Sequence, residues 1–142
     1  MIEVEVHATV NPTELEENVA DAIENIFEGL EMEVSQERVS GHGGIESLMK
    51  FHYLIRQEEI IDTVRTQISK GMDETSTHFA INKQVAFVKR LNFPAQEEAL
   101  GSIHVGIEAS SSRELERLID WLAPETEKGV PLFELDVKDV KS

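Results

Sequence analysis

Cations, side-chain amides and aromatic rings are concentrated in one short segment, from Asn82 to Phe93. Lysine and arginine contact RNA phosphates, and an aromatic ring exposed on a strand stacks on a base. The alternation of Val85, Phe87 and Leu91 predicts such a strand. An RNA interface is therefore predicted, and its expected residues are Lys83, Lys89, Arg90, Asn82, Gln84, Arg56 and Arg65. In the alternative interpretation, Phe87 and Phe93 are core residues and the cations protect a sheet edge from aggregation.

The charge distribution also favours the middle of the chain as the interface. The chain has 142 residues and a formal net charge of −15, a balance that argues against indiscriminate binding to nucleic acid or anionic membranes. Between Lys50 and Arg90, however, seven bases face five acids, so this segment is +2 and the remainder is −17. A local excess of positive charge on an acidic protein is what a specific polyanion partner would require.

Other groups of residues indicate no catalytic chemistry. The chain has no cysteine, which excludes disulfides and thiolate nucleophiles. No two of the five histidines have the i, i+4 spacing of a helical metal site, although His78 and His104 could be neighbours on adjacent strands. The loop expected at 41–44, rich in glycine, lacks the Lys-Ser or Lys-Thr of a phosphate-binding loop. We therefore expect no enzyme, no cofactor and no metal.

Hydrophobic periodicity predicts the elements that carry these residues. Strict alternation predicts strands over 2–10, 77–81, 85–91 and 103–109, with weaker strands over 31–35 and 37–40. Helical spacing predicts a helix over 13–28, opened by a capping box of Thr13 and Glu16, and one after Ser111 that Pro124 ends. Between them, helical patterns from 45 and from 58 to 70 indicate one helix or two.

The mixed order of strands and helices predicts an α+β fold, with one mostly antiparallel sheet and helices on one face. A chain of this length suits a single domain over 1–142. After Gly129 the alternation of Leu132 to Val137 fits an edge strand, a pairing tail or a loose terminus. The acidic first residues are unlike a signal peptide and no apolar run suits a membrane span, so a cytoplasmic location is expected.

Five blocks of sequence, spanning most of the chain, stand out: residues 4–14, Gln57 followed by 61–65, then 79–88, 100–103 and 120–124. In these blocks the sequence resembles an archaeal family of uncharacterised proteins that are predicted to bind RNA. The resemblance implies a fold similar to that of the ribosomal protein that holds five-S RNA. It implies no catalytic residue.

Two functions follow from these observations. The first is a non-enzymatic domain that binds RNA or a ribonucleoprotein through the segment around Lys83. The second is a protein-interaction module that forms a homodimer through edge strands or through the tail after Gly129, with no nucleic-acid role.

Overall fold

The structure is a computed structural model that describes residues 1–94 and 101–141. Leu100, which opens one of the blocks noted above, therefore lies outside the described residues. The strands are β1 (Glu3–Thr9), β2 (Glu31–Val34), β3 (Arg38–Gly43), β4 (Ser76–Asn82), β5 (Ser102–Glu108), β6 (Thr126–Glu127) and β7 (Val130–Pro131). The α-helices are α1 (Glu16–Glu24), α2 (Met49–Gln57), α3 (Ile61–Lys70), α4 (Lys83–Ala86), α5 (Ser112–Leu122) and α6 (Val137–Lys141). A 3-10 helix (Ile45–Leu48) precedes α2.

The main sheet has five strands in the order β2-β3-β1-β5-β4, and every pairing is antiparallel. The expected α+β class is therefore confirmed. Because side chains alternate along a strand, each strand has one inner and one outer set. In β1 the inner set is Val4, Val6 and Ala8, all at most 1% exposed. The outer set faces away from the helices, and we call this side the open face.

In the part of the chain that the structure describes, helices cover the inner face and one hydrophobic core lies between the two layers. Three rings cross this core in sequence: Phe51 lies 5.3 Å from Phe27 and 5.7 Å from Phe79, measured between ring centroids. Offset and tilted rings at this separation contribute beyond the area that they bury. These rings thus join the turn after α1 to α2 and β4.

The strand predicted over 85–91 is wrong. After β4 the chain forms the short helix α4, and the Asn82 side chain caps it by accepting a hydrogen bond from the Val85 N–H at 3.1 Å. A cap of this kind begins a helix because it satisfies a backbone donor that has no partner within the helix. The aromatic rings near Lys89 are therefore not displayed on a strand, and Phe87 and Phe93 pack against the core as the alternative interpretation required.

The glycine-rich loop expected at 41–44 is also wrong, because Gly41 and Gly43 lie in β3. A Cβ on Gly41 would come within 2.7 Å of the Met32 sulfur and 3.1 Å of Leu30. Glycine is needed here because neighbouring side chains cross close to the strand. This placement removes the loop on which a phosphate site would depend.

The helix boundaries differ in part from the expected ones. The helical stretch after residue 45 is two helices, since the chain turns between α2 and α3 at Glu59, where φ is +55°. The cap predicted at Ser111 is confirmed, with its hydroxyl accepting from the Glu114 N–H at 3.1 Å. The box predicted for Thr13 and Glu16 is wrong, because α1 begins after Leu15 without a side-chain cap.

The chain after Gly129 adds no strand to the main sheet. Its β7 pairs with β6, and α6 packs against α5 with Val140 only 1% exposed. Among the helices of the described ranges, none has the length and apolar character needed to cross a membrane.

Candidate nucleic-acid interface

Lys83 is buried, although it is central to the predicted interface. Its side chain is 0% exposed, and the ammonium donates to the Thr9 carbonyl at 2.7 Å and to Glu14 Oε1 at 3.0 Å. Burial opposes ionisation of Glu14, but the Asn11 backbone N–H and the Lys83 ammonium together hold the pKa of that carboxyl below its ordinary value. Lys83 therefore ties α4 to the chain between β1 and α1, and its charge is not presented to a partner.

Arg56 and Arg65 bind the end of α5. Arg56 donates to the carbonyls of Trp121 and Leu122 and forms a two-pronged pair with Glu134 at 2.7 and 2.8 Å. Because α5 has no basic residue in its own last turn, this cation satisfies carbonyls that the helix leaves without partners. The Arg56 guanidinium also holds the pKa of Glu134 below its ordinary range.

Arg65 makes a comparable set of contacts from α3. It donates to the Ala123 carbonyl at 2.9 Å and to Asp120 at 3.0 Å, and Glu125 lies 3.6 Å away. Both arginines are thus paired with acids, 20% and 29% exposed respectively, and both lie at the α5 end of the helical layer. Their charges are therefore used within the fold, at the end of α5.

Three of the seven predicted residues remain at the surface: Gln84, Lys89 and Arg90. Arg90 is 67% exposed but donates to Glu58 at 3.2 Å, which also accepts from the Leu91 N–H. Lys89 has no ion pair among the described residues. With the exposed neighbours Val88 and Asn92, these residues form a surface that we call the α4 patch.

The backbone at Lys89 is in the left-handed region, with φ +62°. The Lys89 N–H donates to the Ala86 carbonyl and the Arg90 N–H to the Val85 carbonyl, which is the hydrogen-bond pattern of a Schellman helix end. Glycine is the preferred residue at this position, because a Cβ costs about 1 kcal/mol in the left-handed region. A lysine held there is exposed at a local cost in stability.

Helix α2 runs beside the α4 patch, and its residues Lys50 and Tyr53 were not among the predicted interface residues. At one end Lys50 donates to the Glu24 carbonyl, and the adjacent Asn25 binds the carbonyls of Ala86 and Phe87. At the other end Glu58 binds Arg90. Between them Tyr53 is 59% exposed. The spacing of Lys50 and Tyr53 on the polar side of α2 is the sequence signal that would have identified them.

The open face brings together four of the five histidines: His7, His42, His78 and His104. The neighbour of His104 is His7, with ring centroids 5.0 Å apart, whereas His78 lies opposite Gly106. Burial, then the nearby Arg38, lowers the pKa of His7. Among the described residues, no three histidines or carboxylates converge in a geometry that could hold a metal ion.

Carboxylates dominate the charge of the open face. Among the residues that the structure describes, its acids are Glu3, Glu5, Glu31, Glu33 and Glu108, and Arg38 is its only permanent cation. With neutral histidines the face therefore carries −4. This potential repels phosphate, so the open face is a poor surface for RNA.

Comparison with known proteins agrees with this architecture. The profile of a family described as RNA binding matches residues 3–109. A UPF0201 protein of Methanosarcina acetivorans is 43% identical, over 99% of this chain and 96% of its own. Another, from Saccharolobus solfataricus, is 37% identical over 94% of this chain and 95% of its own.

A solved structure shows the same fold. The crystal structure of a UPF0201 protein from Methanococcus jannaschii superposes with a TM-score of 0.83 at 33% identity, covering 92% of this chain and 99% of that one. The resemblance to an archaeal family with predicted RNA binding is therefore confirmed. This chain, whose residues 3–109 match the family described as RNA binding, belongs to the UPF0201 family.

Proposed function

We propose that this protein binds RNA without catalysing a reaction, and that the α4 patch is its contact surface. Lys89 and Arg90 would contact phosphates, Gln84 would supply hydrogen bonds, and Tyr53 on the neighbouring helix would stack on an exposed base. The family description supports RNA as the partner. The surface differs from the predicted one because Lys83, Asn82, Arg56 and Arg65 are engaged in the fold.

The conformation of Lys89 is the observation that carries this proposal. The left-handed backbone at Lys89 ends α4, but a helix end of this kind does not require a lysine, and the Lys89 side chain has no ion pair among the described residues. Strain of this kind concentrates at functional positions. A lysine that costs stability and points into solvent is explained if a polyanion uses its charge.

The test is the Lys89→Gly variant in titrations of single-stranded RNA at two salt concentrations. Loss of one phosphate contact should weaken binding several-fold and reduce the slope of log affinity against log salt by about 0.7. The same change should raise the free energy of unfolding by about 1 kcal/mol, because glycine relieves the left-handed strain. Affinity and stability would then move in opposite directions, which damage to the fold cannot produce.

Two matched variants serve as controls. Lys128→Gly makes the same change at φ +52°, on the exposed β6–β7 hairpin. Glu59→Gly relieves φ +55° at the end of α2 while removing an acid. Both should gain stability without losing RNA affinity. If Lys89→Gly and Lys128→Gly lower affinity equally, or wild-type protein binds no RNA at low salt, the α4 patch is not an RNA interface.

A homodimer is the second candidate function, and the tail favours it. Val130, Leu132 and Phe133 are 65%, 58% and 43% exposed and follow one another closely, so they form an apolar surface on this acidic protein. We propose that two copies would bury this surface against each other. The solution mass from light scattering tests the idea, because a monomer at micromolar concentrations contradicts it.

A further inference from the structure

The two edge strands of the main sheet, β4 and β2, differ in whether their outward backbone groups have hydrogen-bond partners. At the β4 edge, the outward His78 N–H donates to Gly71, the outward Asn82 N–H donates to Asn92, and the Ser76 carbonyl accepts from Asp73. The chain thus covers this edge with its own backbone. Edges that are covered in this way cannot pair with another strand.

The β2 edge has no such cover among the described residues. The Ser35 N–H donates to the Arg38 carbonyl at 2.9 Å, and paired residues in an antiparallel ladder alternate between bonded and unbonded. Glu31 and Glu33 therefore bond to β3, while the N–H and C=O groups of Met32 and Val34 point outward. These outward groups are a template for one more strand.

The charges beside this edge determine what strand could be added. A depression of about 210 Å³ on the open face is lined by Glu5, Glu31 and Glu33. Arg38 also lines it and His42 Nε2 lies 3.1 Å from Glu31, so its acids exceed its permanent cation by two. A second depression of about 270 Å³, lined by Glu3, Glu5 and Glu108, lies across β1, β5 and β4, away from the β2 edge. Each depression joins three carboxylates over a sheet surface that no described helix covers.

A second copy of this chain fits this edge poorly. Pairing β2 with β2 of another copy would place two Glu31 and two Glu33 side chains on one face, and like charges on neighbouring strands destabilise a sheet. An extended segment carrying lysine or arginine at alternate positions has the opposite property. Its backbone would bond to Met32 and Val34, and its cations would lie over the carboxylates.

We propose that the β2 edge and the adjoining open face bind a basic, extended segment of a partner protein by strand addition. This surface is separate from the α4 patch and makes no use of RNA. The partner is defined by its chemistry: a chain with β propensity whose cations alternate with apolar residues. Main-chain bonds would provide affinity, and the carboxylates would select the charge.

The experiment measures binding of a synthetic peptide of about ten alternating lysine and valine residues, by fluorescence anisotropy, to the full chain. A peptide of alternating lysine and proline has the same charge spacing but cannot form a strand ladder. The first peptide should bind at least about tenfold more tightly than the second. Equal binding would show only non-specific attraction to an acidic protein and would overturn the proposal.

Two variants separate the edge from the charge. Val34→Pro removes an outward N–H at an exposed edge position, where proline is tolerated, and should weaken the valine peptide about tenfold. The double variant Glu31→Gln and Glu33→Gln keeps the strand and should weaken binding of the valine peptide by a similar factor. The control is the double variant Glu17→Gln and Glu24→Gln on α1, which removes the same charge and should lose less affinity. Circular dichroism and urea unfolding verify that each variant folds.

RNA binding by the same variants distinguishes the β2 edge from the α4 patch. Neutralising Glu31 and Glu33 should leave RNA affinity unchanged or slightly higher, and Lys89→Gly should leave peptide binding unchanged. A loss of RNA binding in the Glu31→Gln and Glu33→Gln variant would overturn strand addition by a basic segment and assign the open face to RNA. A dimer whose mass is lost in Val34→Pro would likewise overturn it, in favour of a second copy.

Discussion

The Lys83 ammonium has two oxygen partners inside the protein, Thr9 O and Glu14 Oε1. Replacing Lys83 by Met would leave the Glu14 carboxylate, whose side chain is 9% exposed, without its cation. Removing one partner of a buried pair costs about 3 kcal/mol or more, because the remaining charge is uncompensated. We therefore expect Lys83→Met to lower the free energy of unfolding by about 3 kcal/mol in urea titrations.

Lys89→Met provides the comparison, since an exposed substitution should change stability by less than about 0.5 kcal/mol. Equal stability of Lys83→Met and the wild type would show that the ammonium is not needed inside the fold. RNA affinity should be measured on folded protein only, because a general loss of structure lowers any binding.

The alternation of side chains along β4 indicates that Lys83 is buried, which a count of charges does not show. Phe79 and Ile81 occupy the inward phase of β4, and Lys83 continues that phase by one step. Counting bases between Lys50 and Arg90 cannot separate buried from exposed cations. The pairing of Arg56 and Arg65 with the end of α5 depends on tertiary contacts, which a single sequence does not reveal.

At the scale of elements, Arg56 connects α2 to both α5 and the tail. Its guanidinium binds two α5 carbonyls and Glu134, so Arg56→Met should release the chain from about 130 onward. A charged hydrogen bond contributes about 1.5–3 kcal/mol, so protection of tail amides should fall sharply. Hydrogen exchange measured by mass spectrometry tests this expectation.

The control is Arg56→Lys, which keeps the charge but cannot reproduce the two-pronged contact. It should restore only part of the protection. Unchanged exchange in Arg56→Met would show that the tail is held by Val140 and its neighbours alone.

Long elements with clear periodicity were predictable, and short ones were not. The alternation in β1, β4 and β5 and the helical spacing in α5 report burial on one side, which the sheet and its helical layer provide. The four residues of α4 contain too little sequence for a helical period, and their apolar members imitate a strand. At this point the side-chain cap at Asn82 begins a helix instead of continuing the strand. The glycines of β3 predict a loop when only the sequence is known, because the packing of Leu30 and Met32 that requires them is a tertiary contact.

For the whole molecule, ionisable groups at several places favour folding at neutral pH. The Ser110 N–H lowers the pKa of Glu114, and Arg56 lowers that of Glu134. Burial lowers the pKa of His7 and His52, with nearby arginines adding to the effect. All four groups release protons more readily in the folded chain than in the unfolded one.

Stability should therefore fall in two stages on acidification. The contribution of the histidines is present above their unfolded pKa of 6.5 and is lost as pH falls through their lower folded values. That of the carboxyls is present above 4.5 and is lost below it. Urea unfolding from pH 8 to pH 3 tests the order. If the free energy of unfolding rises as the pH is lowered from 7 to 5.5, the expected effect of the histidines is contradicted.

The position of β1 in the centre of the sheet also governs how the chain can assemble during synthesis. One neighbour, β3, is made soon after β1, but the other, β5, begins only at Ser102. A ribosome adds about 5–20 residues each second, so the second side of β1 waits several seconds for its partner. The acidic Glu3 and Glu5 on the outer side of β1 would keep nascent chains apart until β5 has been made.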